Sequence, residues 1–187
     1  MRIIAGRFKG HRLLSPRSGS VRPTSDRVRE AVFSALGTDV QDARVLELFA
    51  GTGAFGFEAL SRGASEVVFV DRDRAVAAGL VRTAAALGVE HQVRVMSSTA
   101  ANAVTELVAR GEKFGIIFLD PPYRSGSIPE VICDPLFPRL VDSEGLFIVE
   151  REAQAEASPI PSMFRRRFQR KYGGTIVEIF DRDTADV

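Results

Sequence analysis

The sequence predicts an α/β fold built on a parallel, doubly wound sheet. From Ala43 onward, short apolar runs rich in Val, Ile, Leu and Phe alternate with longer stretches of helical periodicity. Such alternation is typical of a sheet that carries helices on both faces. The last stretch differs, because two strand-like runs joined at Gly173-Gly174 predict an antiparallel hairpin at one sheet edge. The 187 residues suffice for one sizeable core, with little left for a second.

The residues before this alternation have patterns of their own. Residues 3–14 predict a β-hairpin, and the Ser, Pro, Gly and Arg of residues 15–23 predict an exposed loop. Thr24 or Ser25 is the expected cap of a helix that ends at about Leu36. The sequence therefore predicts a short extension of a hairpin and a helix in front of the sheet.

The period of the apolar residues places the later elements. Strands are expected near 44–49, 66–71, 92–96, 114–120 and 145–150, and the closing hairpin is expected at 164–172 and 175–180. Helices are expected near 54–62, 73–87, 99–110 and 127–139.

Composition limits the functional classes. Hydrophobic residues make up 45% of the chain and charged residues 26%, which is ordinary for a globular protein. No apolar run approaches the length that spans a bilayer, and no signal-peptide pattern follows Met1. The single cysteine excludes an internal disulfide, and the two histidines are isolated, so no metal-ligand spacing exists. We therefore expect a cytoplasmic, monomeric protein without metal or membrane anchor.

Positive charge is concentrated at one end of the chain. Residues 1–30 contain eight basic and two acidic side chains, so this segment carries +6 and the remainder −5. A basic arm on an acidic body predicts a polyanionic partner, although a solvated, charged terminus is the plain alternative. A second basic run, 165–171, offers further phosphate contacts, but alternation along a strand would point half of its side chains elsewhere.

The turn Asp120-Pro121-Pro122-Tyr123 is the most informative motif. It directly follows a buried apolar strand, and its two prolines fix the backbone. The Asp120 carboxylate and the Pro121 carbonyl can accept hydrogen bonds from an exocyclic amine, and Tyr123 can cover the attached ring. These residue types predict a rigid pocket for a flat, nitrogen-bearing group.

A glycine-rich loop follows the first strand of the alternation. Gly51-x-Gly53-x-x-Gly56 lets a ligand approach the backbone, and Asp71 at the next strand end can bind ribose hydroxyls. The same spacing fits a dinucleotide-binding loop. Glu47, however, would repel a pyrophosphate and suits the cationic sulfonium of S-adenosylmethionine, which is therefore the favoured cofactor.

These two motifs together predict methyl transfer to an amine. If the first and fourth strands are neighbours, the loop and the Asp120 turn face each other at the carboxyl ends of the sheet. Hydrogen bonds to Asp120 and Pro121 would aim the lone pair of the amine at the methyl group, so positioning supplies most of the acceleration. A base paired within a helix cannot reach such a pocket, which predicts an unpaired or flipped-out target.

Three sets of residues resemble one enzyme family. Glu47-x-Phe49-x-Gly51-x-Gly53 and Asp71, with the Asp120 turn, resemble class I amino-methyltransferases. Arg2-Ile3-Ile4-Ala5-Gly6 and Arg22-Pro23-Thr24-x-Asp26-Arg27-Val28-Arg29-Glu30 resemble the RsmD family, bacterial enzymes that methylate guanine N2 at position 966 of 16S rRNA. The resemblance implies a Rossmann-like domain at 37–187 with a seven-stranded sheet. It also implies an RNA-binding extension at 1–36 and a small ribosomal subunit as substrate.

The resemblance also implies roles for single residues. Cofactor contacts are expected from Glu47, Phe49, Gly51, Gly53, Asp71 and Arg72. The guanine pocket is expected from Asp120, Pro121, Pro122 and Tyr123, and RNA contacts are expected from Arg2, Arg7, Lys9, Arg12, Arg22 and Arg27. After the third strand, Met96-Ser97-Ser98 lacks the carboxylate that many relatives of the broader class place against adenine, so Ser98 or the backbone is expected there.

Two other functions remain open from the residues alone. The same fold could methylate an adenine N6 amine in DNA or RNA, or a protein glutamine. Asp rather than Asn at position 120 favours guanine, because a carboxylate accepts hydrogen bonds from both N1–H and N2–H. A non-catalytic RNA-binding assembly factor is the third hypothesis, which the intact glycines, Asp71 and the complete turn disfavour.

Overall fold

The computed structural model describes residues 1–14, 26–121, 127–157 and 159–183. Its centre is a seven-stranded sheet in the order β3-β2-β1-β4-β5-β7-β6. The strands are β1 Arg44–Leu48, β2 Glu66–Asp71, β3 Val93–Ser97, β4 Phe114–Leu119, β5 Val141–Glu152, β6 Phe164–Tyr172 and β7 Thr175–Arg182. The first five strands are parallel, and β7 pairs antiparallel with both β5 and β6. The predicted α/β class, the seven strands and the closing hairpin are confirmed.

Helices cover both faces of this sheet. They are α1 Asp26–Leu36, α2 Ala54–Ser61, α3 Arg74–Leu87, α4 Ala100–Ala109, α5 Ser127–Ile132 and α6 Phe137–Leu140, with 3₁₀ turns at Gly37–Val40 and Glu90–Gln92. Helices α1 to α3 pack on one face, called the first face here, and α4 to α6 pack on the second face. Each face contributes its own apolar cluster, which explains why the central strands are apolar at nearly every position. Among the described helices, none is both long and apolar enough to cross a membrane.

One predicted helix is divided in two. The stretch 127–139 forms α5 and α6 with a break between them, because Pro135 lacks an N–H and disfavours helical backbone at Asp134. The Asp134 carboxylate instead accepts a hydrogen bond from the Leu136 N–H at 2.8 Å. The strands differ from their predicted bounds by one residue or less, except β5, which begins four residues earlier and ends two later, and β7, which ends two later.

The amino-terminal residues 1–14, called the arm here, lie along α2. The arm folds back on itself as predicted, but its strand pairing is limited to one bridge between Arg2 and Arg12. Beyond this bridge the arm contacts α2, where the Glu58 carboxylate accepts hydrogen bonds from the Ile4 and Ala5 N–H groups. The expected loop at 15–23 and the cap at residues 24–25 lie outside the described residues.

Candidate active site

Three of the predicted site residues lie in one row across the carboxyl ends of the strands. Leu48 of β1 pairs with Val70 of β2 and with Leu119 of β4. The next residues along these strands, Phe49, Asp71 and Asp120, therefore lie side by side. With neighbouring strands about 4.8 Å apart, the backbones of Asp71 and Asp120 are about 10 Å apart. The predicted neighbourhood of the first and fourth strands is confirmed.

The loop after β1 is tight and strained. Phe49, Gly51 and Gly53 have φ angles of +62°, +53° and +69°. Glycine adopts such angles freely, whereas Phe49 pays a steric penalty of about 1 kcal/mol or more. Two short backbone hydrogen bonds hold the loop, from Ala50 N to Val70 O at 2.9 Å and from Gly53 N to Ala50 O at 2.7 Å. The strain is maintained by a rigid frame, which is a common property of ligand-binding loops.

Two glycines allow α2 to approach the sheet closely. A Cβ atom on Gly53 would lie 2.5 Å from Leu80 Cδ2, and one on Gly56 would lie 2.5 Å from the Phe69 ring. Any side chain at either position would therefore push α2 or its neighbours away. This packing sets where the amino end of α2 stands relative to the loop.

Glu47 supports the loop from beneath. Its side chain is buried, and one carboxylate oxygen accepts a hydrogen bond from the Gly56 N–H at 2.7 Å. The Phe55 N–H is a second donor, so Glu47 satisfies two unpaired groups at the start of α2. Burial raises the pKa of Glu47 to about 8 despite these donors, and the nearby Asp120 adds to the rise. Glu47 is therefore mostly protonated at neutral pH, and its direct contact with a cofactor stays a prediction.

Asp71 stands at the end of β2, beside the loop. One carboxylate oxygen accepts from the Gly51 N–H and the other from the Asp73 N–H, both at 2.9 Å. A carboxylate has about four acceptor positions, so two remain for ribose hydroxyls. Ser98 lies at the next strand end, where its N–H donates to the Asp71 carbonyl at 3.1 Å. Arg72 is exposed.

The acceptor side of the site begins at Asp120. Asp120 is half-buried and Pro121 is buried, whereas Pro122 and Tyr123 lie outside the described residues. The strand below is fixed by an aromatic stack, in which the Phe55 ring lies 4.2 Å from Phe118 and 4.9 Å from Phe33. This stack joins α1, α2 and β4, so the loop side and the acceptor side share one support.

The predicted RNA contacts are spread along the length of the arm. The Arg7 N–H donates to the carbonyl of Ser61, the last residue of α2, and the Arg7 guanidinium donates to Gln92, just before β3. Arg7 and the neighbouring Lys9 thus lie at the amino ends of the strands, away from the candidate site. At the other end of the arm, Met1 Sδ accepts a hydrogen bond from the hydroxyl of Thr52 in the glycine-rich loop at 3.3 Å.

Three further predicted RNA-contact residues lie on α1 and at the end of the arm that carries Met1. Arg2 and Arg12 are exposed and face each other at the bridge, and Arg27 is exposed on α1. Arg22 lies outside the described residues. The structure therefore separates the predicted contacts into those near the site and those at the far tip of the arm.

Sequence reasoning missed the residues that attach the arm. The fully buried Glu58 accepts from Ile4 N at 2.7 Å, Ala5 N at 3.0 Å and Arg62 Nε at 2.8 Å. Arg29, also buried, approaches the same carboxylate at 3.6 Å and donates to the Arg2 carbonyl at 2.6 Å. The sequence did contain a signal for this contact, because a glutamate within the otherwise apolar helix Ala54–Ser61 is unexpected without a partner.

The described residues contain no group of three or more His, Cys, Asp or Glu side chains that could hold a metal ion. Cys133 is exposed and lies outside the row of site residues.

Comparison with known proteins identifies the family. The family model described as conserved hypothetical protein 95 matches residues 1–181. Ribosomal RNA small subunit methyltransferase D of Escherichia coli is 35% identical over 183 residues, which cover 98% of this chain and 90% of that protein. A candidate methyltransferase structure from Escherichia coli superposes with a TM-score of 0.85 at 34% identity and covers 98% of both chains. A candidate methylase from Haemophilus influenzae gives 0.77 at 26% identity and covers 97% of both. The chain belongs to the RsmD family, and its fold is that of the class I methyltransferases.

Proposed function

We propose that this protein transfers a methyl group from S-adenosylmethionine to the exocyclic N2 of guanine 966 in 16S rRNA of the small ribosomal subunit, in the cytoplasm. The observation that carries the proposal is the single row formed by Phe49, Asp71 and Asp120. It brings a cofactor-type loop and an amine-type pocket to adjacent strand ends. The name of the Escherichia coli relative supports rRNA of the small subunit as the substrate.

The donors and acceptors of the loop side suit S-adenosylmethionine. Asp71 retains two acceptor positions for the two ribose hydroxyls, and the glycines allow close approach of a ligand to the backbone. Glu47 holds the start of α2 in place and lies beneath the loop. When bound, the cofactor supplies an electrophilic methyl group on a sulfonium, which is a good leaving group.

The residues of the acceptor side orient and deprotonate the amine. The Asp120 carboxylate and the Pro121 carbonyl would accept hydrogen bonds from the amine N–H groups and direct its lone pair toward the methyl group. The nitrogen would then form the new C–N bond as the methyl–sulfur bond breaks, and Asp120 would accept the proton that the nitrogen loses. A carboxylate at this position can bind N1–H and N2–H of guanine together, which supports guanine over adenine.

Parallel methyl-transfer reactions test the proposal. Labelled S-adenosylmethionine is supplied with naked 16S rRNA, with small subunits from cells that lack the enzyme, and with genomic DNA. We expect label in rRNA or subunits, recovered as N2-methylguanosine after digestion to nucleosides. N6-methyladenine in DNA or RNA, or label in protein, would replace the proposal with the corresponding alternative.

A further inference from the structure

The basic side chains of β6 divide into paired and unpaired sets. Arg166 forms an ion pair with Glu178 at 3.0 Å, and Arg167 bridges Asp39 at 2.7 Å and Asp181 at 3.4 Å. The other three cations of the strand are exposed and form no ion pair with any residue that the structure describes: Arg165, Arg170 and Lys171. Arg166 and Arg167 already have carboxylate partners, so the unpaired set is the better candidate for contact with a partner molecule.

The unpaired cations lie at opposite ends of the strand. Arg170 pairs in register with Val177 of β7, and Val177 pairs with Glu150 of β5. Glu150 is the residue after Val149, which pairs with Leu119, so Arg170 lies in the same row as Asp120. Arg165 pairs with Asp181, which lies toward the amino ends of the parallel strands.

The distance between Asp120 and Arg170 allows one nucleic-acid strand to contact both residues. Three strand spacings separate Asp120 from Arg170, which amounts to about 14 Å. Phosphates along a helical strand advance about 3.4 Å per nucleotide, so about four nucleotides span this gap. Arg170 can therefore reach the backbone close to a base held at Asp120.

The local structure presents these cations outward. β6 is the outermost strand of the sheet, and Arg170 and the adjacent Lys171 project to its two faces. The Arg170 guanidinium lies 5.6 Å from the centre of the Tyr172 ring. This cation–π contact orients the group while leaving its N–H donors available for phosphate oxygens. The acidic Glu152 lies on β5, two strands inward from β6, and pairs in register with Thr175 of β7.

We propose that Arg170 and Lys171 form a second RNA-backbone contact, on the opposite side of the candidate site from the arm. This inference rests on the proposed function for the identity of the partner. It extends that function by assigning a phosphate-binding role to the β6 edge, so the substrate is held on both sides of the target base.

Equilibrium binding to labelled 16S rRNA, measured by filter retention across a range of KCl concentrations, tests this role. The variants are R170A, K171A and R170A/K171A, and R165A is the matched control, because it removes the same charge from the other end of the same strand. We expect the double variant to bind about 10-fold more weakly near physiological salt. Its slope of log affinity against log salt should fall by about 0.7–0.9 for each lost contact.

Each result bears on a separate claim. An unchanged salt slope for R170A/K171A, or an equal effect of R165A, overturns the inference. Methyl transfer to small subunits, followed in parallel, should show a raised KM and an unchanged kcat for the double variant. If the wild-type protein binds rRNA but transfers no methyl group to it, the proposed function fails, while the salt slopes still decide the role of Arg170 and Lys171.

Discussion

A buried glutamate lies at each end of α2, and the two glutamates have different roles. At its amino end, the buried Glu47 accepts hydrogen bonds from backbone N–H groups of the helix itself. At its carboxyl end, the buried Glu58 accepts backbone N–H groups from the arm and is flanked by Arg29 and Arg62. One carboxylate shapes the loop beside the candidate site, and the other fastens an extension to the body.

The contrast lies in the groups that surround each buried carboxyl group. Glu58 has the guanidinium groups of Arg29 and Arg62 as counter-charges. Glu47 has mainly neutral donors and a carboxylate nearby, so burial raises its pKa to about 8. The attachment of the arm should therefore depend on ion pairing, whereas the support of the loop should depend on hydrogen bonding.

The largest expected effect is on the chemistry at the carboxyl ends of the strands. We expect D120A to lower kcat about 10⁴-fold, because the amine loses its main acceptor, while calorimetric affinity for S-adenosylmethionine is retained. D71A is the matched control, since Asp71 lies in the same row on the cofactor side, and it should weaken cofactor binding. Loss of cofactor affinity in D120A with residual activity would contradict the assigned roles.

The second expected effect is a pH-dependent gain of stability in E47Q. Because the folded-state pKa of Glu47 is about 8, against an ordinary value of 4.5, ionisation disfavours the folded state. Wild-type stability should therefore fall as the pH rises from 4.5 to 8, and this contribution is absent in the uncharged glutamine variant. The free energy of unfolding of E47Q relative to wild type should grow by up to ~5 kcal/mol over this window.

Urea unfolding at several pH values measures this difference. E144Q, which changes an exposed glutamate, is the matched control and should follow the wild type. A constant difference between E47Q and wild type from pH 4.5 to 8 would show that Glu47 is ionised in the folded protein.

The third prediction concerns the other end of α2. E58A should destabilise the protein by about 3–4 kcal/mol, because it removes the acceptor of two arm N–H groups and leaves the buried Arg29 with Asp26 as its one remaining described carboxylate partner. Proteolysis within residues 1–14 should accelerate, whereas cofactor affinity should remain near that of the wild type.

Ser61→Ala is the milder companion if E58A does not fold. It removes the hydrogen bonds from Phe8 N and to the Ala5 carbonyl, and should cost about 1–2 kcal/mol. Both variants could instead lose the same free energy of cofactor binding as of unfolding. That result would mean that the structures at the two ends of α2 depend on each other.

The sequence predicted most of the fold because the apolar pattern of each strand is unambiguous. β2 was predicted to the residue, and the glycine-rich loop was placed correctly between the end of β1 and the start of α2 at Ala54. The break at Pro135 was missed because the apolar period continues through it. The contacts of Glu58 and Arg29 could not be predicted, since they join residues far apart in the chain and depend on how the arm packs.

The shared row of Phe49, Asp71 and Asp120 also protects the protein against misfolded but compact alternatives. Adjacent side chains of a strand point to opposite faces, so a slip of β4 by one residue would turn its buried Phe and Ile side chains to the wrong faces. The same slip would move Asp120 out of line with the loop. Any chain that has buried β4 in this register has therefore also placed Asp120 in line with the glycine-rich loop.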